Sequence, residues 1–191
     1  MLEHGGRLRQ AARRYSIPSG EWLDLSTGIN PRGWPVPAPP RIAWSRLPED
    51  DDGLEAAARA YYGSRSLLAV AGSQAAIQAL PRLRDRARVS VLHPGYFEHA
   101  HAWRCAGHQV ISVTAERLDA AVAASDVLVL IHPNNPTGAR FPVDELLAWQ
   151  ARLDARGGWL VVDEAFMDAT PEASLAPFCP RFGLILLRSL G

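Results

Sequence analysis

Five short polar segments each follow an apolar run, and each carries groups able to hold a small charged ligand. Gly72-Ser73-Gln74 joins a glycine, which lets backbone approach closely, to a hydroxyl and amides that suit an anion. Taken alone, it reads as readily as an ordinary helix cap by Ser73. Asn134-Asn135-Pro136-Thr137-Gly138 is more specific. Pro133 and Pro136 stiffen that loop, so Asn135 is held in one direction with little freedom to lose. Asp163 ends the run Trp159-Leu160-Val161-Val162, and a carboxylate there is costly unless it meets a cation or a donor. It is read either as a cap on the following turn or as the partner of a positively charged ring nitrogen; Glu164 beside it reads as solvated. Tyr96, between Gly95 and Phe97, suits a stacking surface for a flat ligand, or else core filling. Ser189 follows the last apolar run. His4, His93, His99, His101, His108 and His132 show no zinc spacing, so no metal is expected, and they read as surface or structural apart from His4. His99 and His101 point to different faces of any helix that carries them.

The elements that must position these groups follow from the apolar pattern. Short runs predict strands over Leu68–Ala71, Val89–His93, Val110–Val113, Val127–His132, Leu160–Asp163 and Leu184–Arg188. Helices are predicted between them, over Ser73–Leu83, Phe97–Ala106, Glu116–Ala124 and Val143–Arg156. Runs such as Val127-Leu128-Val129-Leu130-Ile131 are apolar on both faces. That fits strands covered on both sides, hence a three-layer α/β/α fold with a mainly parallel sheet. Ligands of such sheets sit beyond the carboxyl ends of the strands, which is where the five polar segments fall. Upstream, prolines 18, 31, 35, 37, 39, 40 and 48 break any period. Residues 1–48 are therefore expected to form an extended arm after a short helix over Gly6–Tyr15, with the body in residues 49–191. A helix opening at Asp50-Asp51-Asp52-Gly53 and stopping at Gly63 starts that body.

Composition narrows the function. The 191 residues carry 20 basic and 20 acidic side chains, a formal net charge of zero. That argues against a nucleic-acid surface, which needs clustered positive charge. No apolar stretch approaches the roughly 20 residues a membrane span takes. The first residues lack the apolar core of a secretory signal, and two cysteines are too few for a disulfide framework, so a cytoplasmic setting is expected. Every basic residue is arginine; the chain contains no lysine.

In order and spacing, Gly72-Ser73-Gln74, Pro94-Gly95-Tyr96, Asn134-Asn135-Pro136-Thr137-Gly138, Asp163-Glu164-Ala165-Phe166 and Ser189-Leu190-Gly191 resemble the large domain of fold-type I pyridoxal-phosphate enzymes. His4-Gly5-Gly6-Arg7 and Trp22-Leu23-Asp24-Leu25-Ser26-Thr27-Gly28-Ile29-Asn30-Pro31 resemble the threonine-phosphate decarboxylase branch of cobalamin biosynthesis, related to histidinol-phosphate aminotransferases. The resemblance implies pyridoxal 5'-phosphate as cofactor, a phosphorylated amino acid as substrate and a homodimer when intact. It implies that Gly72, Ser73, Gln74 and Ser189 hold the cofactor phosphate and that Tyr96 stacks on the ring. Asn135 would reach the phenolic oxygen and the substrate carboxylate, and Asp163 would keep the ring nitrogen protonated. His4, Gly5, Gly28 and Asn30 would close over the substrate. Phe166 stands where many relatives have a tyrosine, and Leu47 where aminotransferases have one, which favours the decarboxylase over a transaminase. Gly28 replaces an asparagine of some decarboxylases, so any contact there is through backbone.

The implied reaction is decarboxylation of L-threonine O-3-phosphate to (R)-1-amino-2-propanol O-2-phosphate; the alternative is a histidinol-phosphate or similar class I/II transaminase. A non-enzymatic phosphate-binding domain is disfavoured, because Ala71-Gly72-Ser73-Gln74-Ala75 lacks the dinucleotide glycine pattern. The family's Schiff-base lysine would be the residue after Gly191. The resemblance thus implies a fold incomplete at its C-terminus, lacking the small domain and inactive by itself.

Overall fold

The computed structural model describes residues 5–28, 32, 33, 35–47, 49 and 51–189. The chain divides into two compact units, residues 1–47 and 48–191. In the first, α1 spans Leu8–Tyr15, and short 3-10 turns cover Ser19–Glu21 and Arg41–Trp44. None of its described residues is buried. Proline-rich chain with few backbone donors makes few ladders, and this unit is held by local ties. The indole of Trp22 donates to the Ile17 carbonyl at 3.2 Å, and the Gly6 N–H donates to Ser26 Oγ at 2.8 Å.

The second unit opens with α2, Leu54–Tyr62, whose first N–H donates to Asp52 Oδ1 at 2.9 Å and whose end is marked by Gly63 at φ +66°. The run Leu68–Ala71, expected as a strand, is irregular and pairs with no strand among the described residues. Leu68 is 80% and Val70 50% exposed. Apolar β-branched content favours a strand, yet a strand also needs a neighbouring edge to bond, and this run has none. The helix expected over Ser73–Leu83 is α3, Ser73–Ala79, continued by a 3-10 turn over Leu80–Leu83, where Pro81 removes a helical donor.

The rest alternates as the sequence predicts: β1 Arg88–Leu92, α4 Phe97–Cys105, β2 Gln109–Val113, α5 Leu118–Ala124, β3 Val127–Ile131, α6 Val143–Asp154, β4 Trp159–Asp163 and β5 Leu184–Leu187. All four pairings are parallel, in the order β2-β1-β3-β4-β5. Because successive side chains point to opposite faces, one run builds two cores. Leu128, Leu130, Leu160 and Val162 pack with Leu118, Leu146, Trp149 and Leu153 of α5 and α6. Val127, Val129 and Val161 pack instead with Ala100 and Trp103 of α4. The sheet is therefore the middle of three layers. Among the described residues, no helix is long and apolar enough to cross a membrane.

Candidate active site

Parallel strands all end on one side, so their following loops gather there. Ile131 pairs in register with Asp163, and Asp163 with Leu187, so the loops carrying Asn135, Asp163 and Ser189 leave from one edge.

Asp163 is 4% exposed. Its Oδ2 meets His99 Nε2 at 2.8 Å and its Oδ1 accepts the Ala165 N–H at 3.1 Å. With the carboxylate ionised, it is the His99 N–H that donates. His99 lies one helical turn from Tyr96, which precedes α4, and the two rings meet edge to face at 6.2 Å. Burial, then the negative charges of Glu98 and Asp163, push the Tyr96 phenol up from its ordinary value. Gln74 Nε2 donates to Glu98 Oε2 at 3.1 Å, tying the turn before α3 to the start of α4.

The two asparagines divide the work of their loop. Asn134 is buried and its Nδ2 donates to the Pro94 carbonyl at 2.9 Å and to Thr137 Oγ1 at 2.7 Å, while its N–H donates to the Ala139 carbonyl. Asn135 is exposed on the loop so closed. Beneath it, His132 is buried and its Nδ1 accepts the Phe141 N–H at 3.3 Å. Burial is the main cause that lowers its pKa, keeping the ring neutral.

Two expectations are corrected here. Glu164, read as solvated, is 1% exposed. It accepts Ser174 Oγ at 2.5 Å, the Leu175 N–H at 2.8 Å and Arg188 Nη1 at 3.0 Å. Ser73, read as a cap, is the first residue of α3; Gly72 occupies the cap position and no side chain caps the helix.

Gly72, Ser73, Gln74, Arg188 and Ser189 line one cavity of about 760 Å³. Cys179 also lines it, and burial, with the Glu164 charge, pushes its pKa up to about 11, so it stays a thiol at neutral pH. Tyr96, Asn135 and Asp163 are not on that lining. They are joined to it by Gln74–Glu98 on one side and by Glu164–Arg188 on the other. Of the residues expected over the substrate, Gly5 and Gly28 are exposed in the first unit, and His4 and Asn30 lie outside the described residues. At Gly5 a Cβ would fall 1.9 Å from the Ser26 carbonyl oxygen, so only glycine fits there.

The family model for aminotransferase class I and II matches residues 48–191. The chain belongs to that family. Over its full length it is 62% identical to a threonine-phosphate decarboxylase of Pseudomonas aeruginosa and 43% identical to one of a Sinorhizobium species, spanning 58% of each. The crystal structure of a histidinol-phosphate aminotransferase from Clostridium acetobutylicum superposes with a TM-score of 0.63 at 17% identity, covering 71% of this chain and 44% of that one, a likeness of fold. The class I and II fold accounts for the parallel sheet and for the loops at its carboxyl edge.

Sequence reasoning missed two participants in this aminotransferase-family edge. His99 was set aside with the other histidines for want of metal spacing, although its place one turn after Tyr96 puts both on the face toward the strand ends. Arg188 was passed over inside an apolar run, where an arginine flanked by Leu187 and Ser189 was itself the signal, since a charge there requires a partner.

Proposed function

We propose that this chain is the cofactor-binding part of a threonine-phosphate decarboxylase, a pyridoxal-phosphate enzyme that converts L-threonine O-3-phosphate to (R)-1-amino-2-propanol O-2-phosphate. The observation that carries the substrate is the 62% identity, over the whole chain, to a decarboxylase of that name. The donor set fits the cofactor at both ends. Hydroxyls of Ser73 and Ser189 with the backbone amides of Ser73 and Gln74 suit a phosphate, the Gly72 N–H being turned to the Val70 carbonyl at 2.7 Å, and these residues share one cavity. At the other end the carboxyl group of Asp163 is buried and fixed by His99 Nε2 at 2.8 Å, which suits a protonated ring nitrogen.

Bound there, the coenzyme supplies an electron-accepting ring for the bond that breaks at the substrate Cα. The chain's own residues do the rest. Asp163, its free rotation removed by His99 and the Ala165 N–H, holds a proton on the ring nitrogen. Tyr96 would cover one face of the ring and exclude water from it. Asn135 would donate to the phenolic oxygen and orient the substrate carboxylate; orientation of this kind contributes several kcal/mol. Gly5 and Gly28 belong to the segments proposed to close over the phosphorylated substrate, with His4 and Asn30. The enzyme is proposed to work as a homodimer in the cytoplasm.

An enzyme containing this chain, given L-threonine O-3-phosphate, should release carbon dioxide and aminopropanol phosphate in equal amounts. Amino transfer to 2-oxoglutarate with a keto acid as product would replace this reading by the transaminase one. Since the 191 residues contain no lysine, borohydride treatment of the chain with pyridoxal phosphate should leave no pyridoxyl-lysine.

A further inference from the structure

Arg188 has surroundings unlike those of the other arginines. Its side chain is 11% exposed, and it faces Glu164, whose side chain is fully buried. Nη1 donates to Glu164 Oε2 at 3.0 Å, Nη2 donates to Asp168 Oδ1, and the guanidinium lies 4.6 Å from the centre of the Tyr62 ring. Two carboxylates thus hold the two ends of the fork and an aromatic ring covers a face, restricting the side chain's rotation, while Nε is buried without a hydrogen-bond partner. Glu164 also holds the backbone one residue earlier, since its N–H donates to the Leu187 carbonyl at 2.9 Å. The same acidic residue therefore grips residues 187 and 188 by backbone and side chain. Residue 189 is the serine that lines the cavity with Gly72, Ser73 and Gln74.

We propose that Arg188 is a positioning residue for phosphate recognition. By locking onto Glu164 and Asp168 it aims the Ser189 hydroxyl at the Gly72–Gln74 turn. The proposal rests on the cofactor reading above and deepens it. A stabilising role alone does not call for this arrangement, because a buried ion pair is often no better for stability than apolar side chains of the same volume. What the pair supplies is a fixed direction for the residue that follows. Lysine cannot replace it: an ammonium group reaches one carboxylate as a point charge and has no planar fork to hold the backbone in register.

The test measures binding of pyridoxal 5'-phosphate and of pyridoxal to the whole chain, with thermal melts alongside. Wild type should prefer the phosphorylated form. Ser189→Ala should lose about tenfold in affinity for pyridoxal phosphate, the worth of one charge-assisted hydrogen bond, with pyridoxal unchanged. Arg188→Lys should lose the same preference, and should lose nothing further in the Ser189→Ala background, because it acts through that hydroxyl. If Arg188→Lys melts early, the double variant Arg188→Met/Glu164→Leu replaces it. A double variant that melts near wild type and has lost the preference supports the proposal; one that keeps the preference overturns it. Additive losses from Arg188→Lys and Ser189→Ala overturn it too. A wild-type chain with no preference for the phosphorylated form overturns the cofactor reading, and the proposal with it.

Discussion

Two regions flank the edge where the candidate site lies, and they are built in opposite ways. At the ends of β4 and β5, Asp163 and Glu164 are both buried, and each has its own nitrogen-bearing partner, His99 for one and Arg188 for the other. Across the cavity, residues 68–72 are exposed; Ser73 and Gln74 are half-buried, with the Gln74–Glu98 bond as the side-chain tie of that turn. Consecutive carboxylates pointing to different partners show how a strand end handles charge. Leaving the sheet, alternate residues face opposite layers, so neighbouring charges are wired separately rather than repelling across a shared site. The turn before α3 is tied more lightly, by Gln74–Glu98 and by the Gly72 N–H on the Val70 carbonyl. One side of the edge is fixed by buried pairs, and the other is more open to solvent.

The sharpest way to break this contrast is to remove a charge on the wired side. Glu164→Gln leaves the mostly buried Arg188 beside a neutral amide and, with one oxygen in place of two, takes the acceptor from either Ser174 Oγ or the Leu175 N–H. The expected loss in unfolding free energy, measured in urea, is about 3–5 kcal/mol. A loss below about 1 kcal/mol, the range of exposed ion pairs, would mean that the region is as open to water as the turn opposite.

The contrast also explains what could be read from the sequence. The five paired strands and their parallel sense, though not their order, are legible in runs such as Val127–Ile131, whose short length and β-branched residues fit a strand covered on both faces. The position of Tyr96, Asn135 and Asp163 near the strand ends is legible for a related reason: a polar group soon after a buried run stands out against it. His99 and Arg188 are not, since their signal lies in pairing between elements distant in sequence. Asp163 and His99 are 64 positions apart and Glu164 and Arg188 are 24 apart, and no local pattern connects them. Leu68–Ala71 failed in the other direction. Its composition was that of a strand, while strand formation depends on an edge that composition does not supply.

On the open side, Gly72 gives an intermediate effect. It sits at φ +82°, ψ 158°, a conformation that side-chain-bearing residues essentially never adopt, and a Cβ there would meet nothing within 4 Å. The cost of Gly72→Ala is therefore backbone strain alone, about 1–3 kcal/mol if the turn keeps its shape. A turn free to relax would show less loss of stability and instead weaker binding of pyridoxal phosphate. Thermal melts with and without that ligand separate the two, and either result measures how firmly the turn is held compared with the strand ends.

The smallest expected effect comes from Leu68→Ser, and it tests the open side most directly. Leu68 and Leu128 are the same residue type in runs of similar composition. Leu128 is fully buried between β3 and the α5–α6 layer, so Leu128→Ala should cost about 2–5 kcal/mol through lost burial and the cavity left behind. Leu68, at 80% exposure, has almost no buried surface to lose, and its change to serine should fall within about 0.5 kcal/mol. Urea unfolding of both variants gives the ratio directly. A Leu68→Ser loss approaching that of Leu128→Ala would place residues 68–71 in a packed interior, as the sequence pattern alone had suggested, and would remove the distinction between the two sides of the edge.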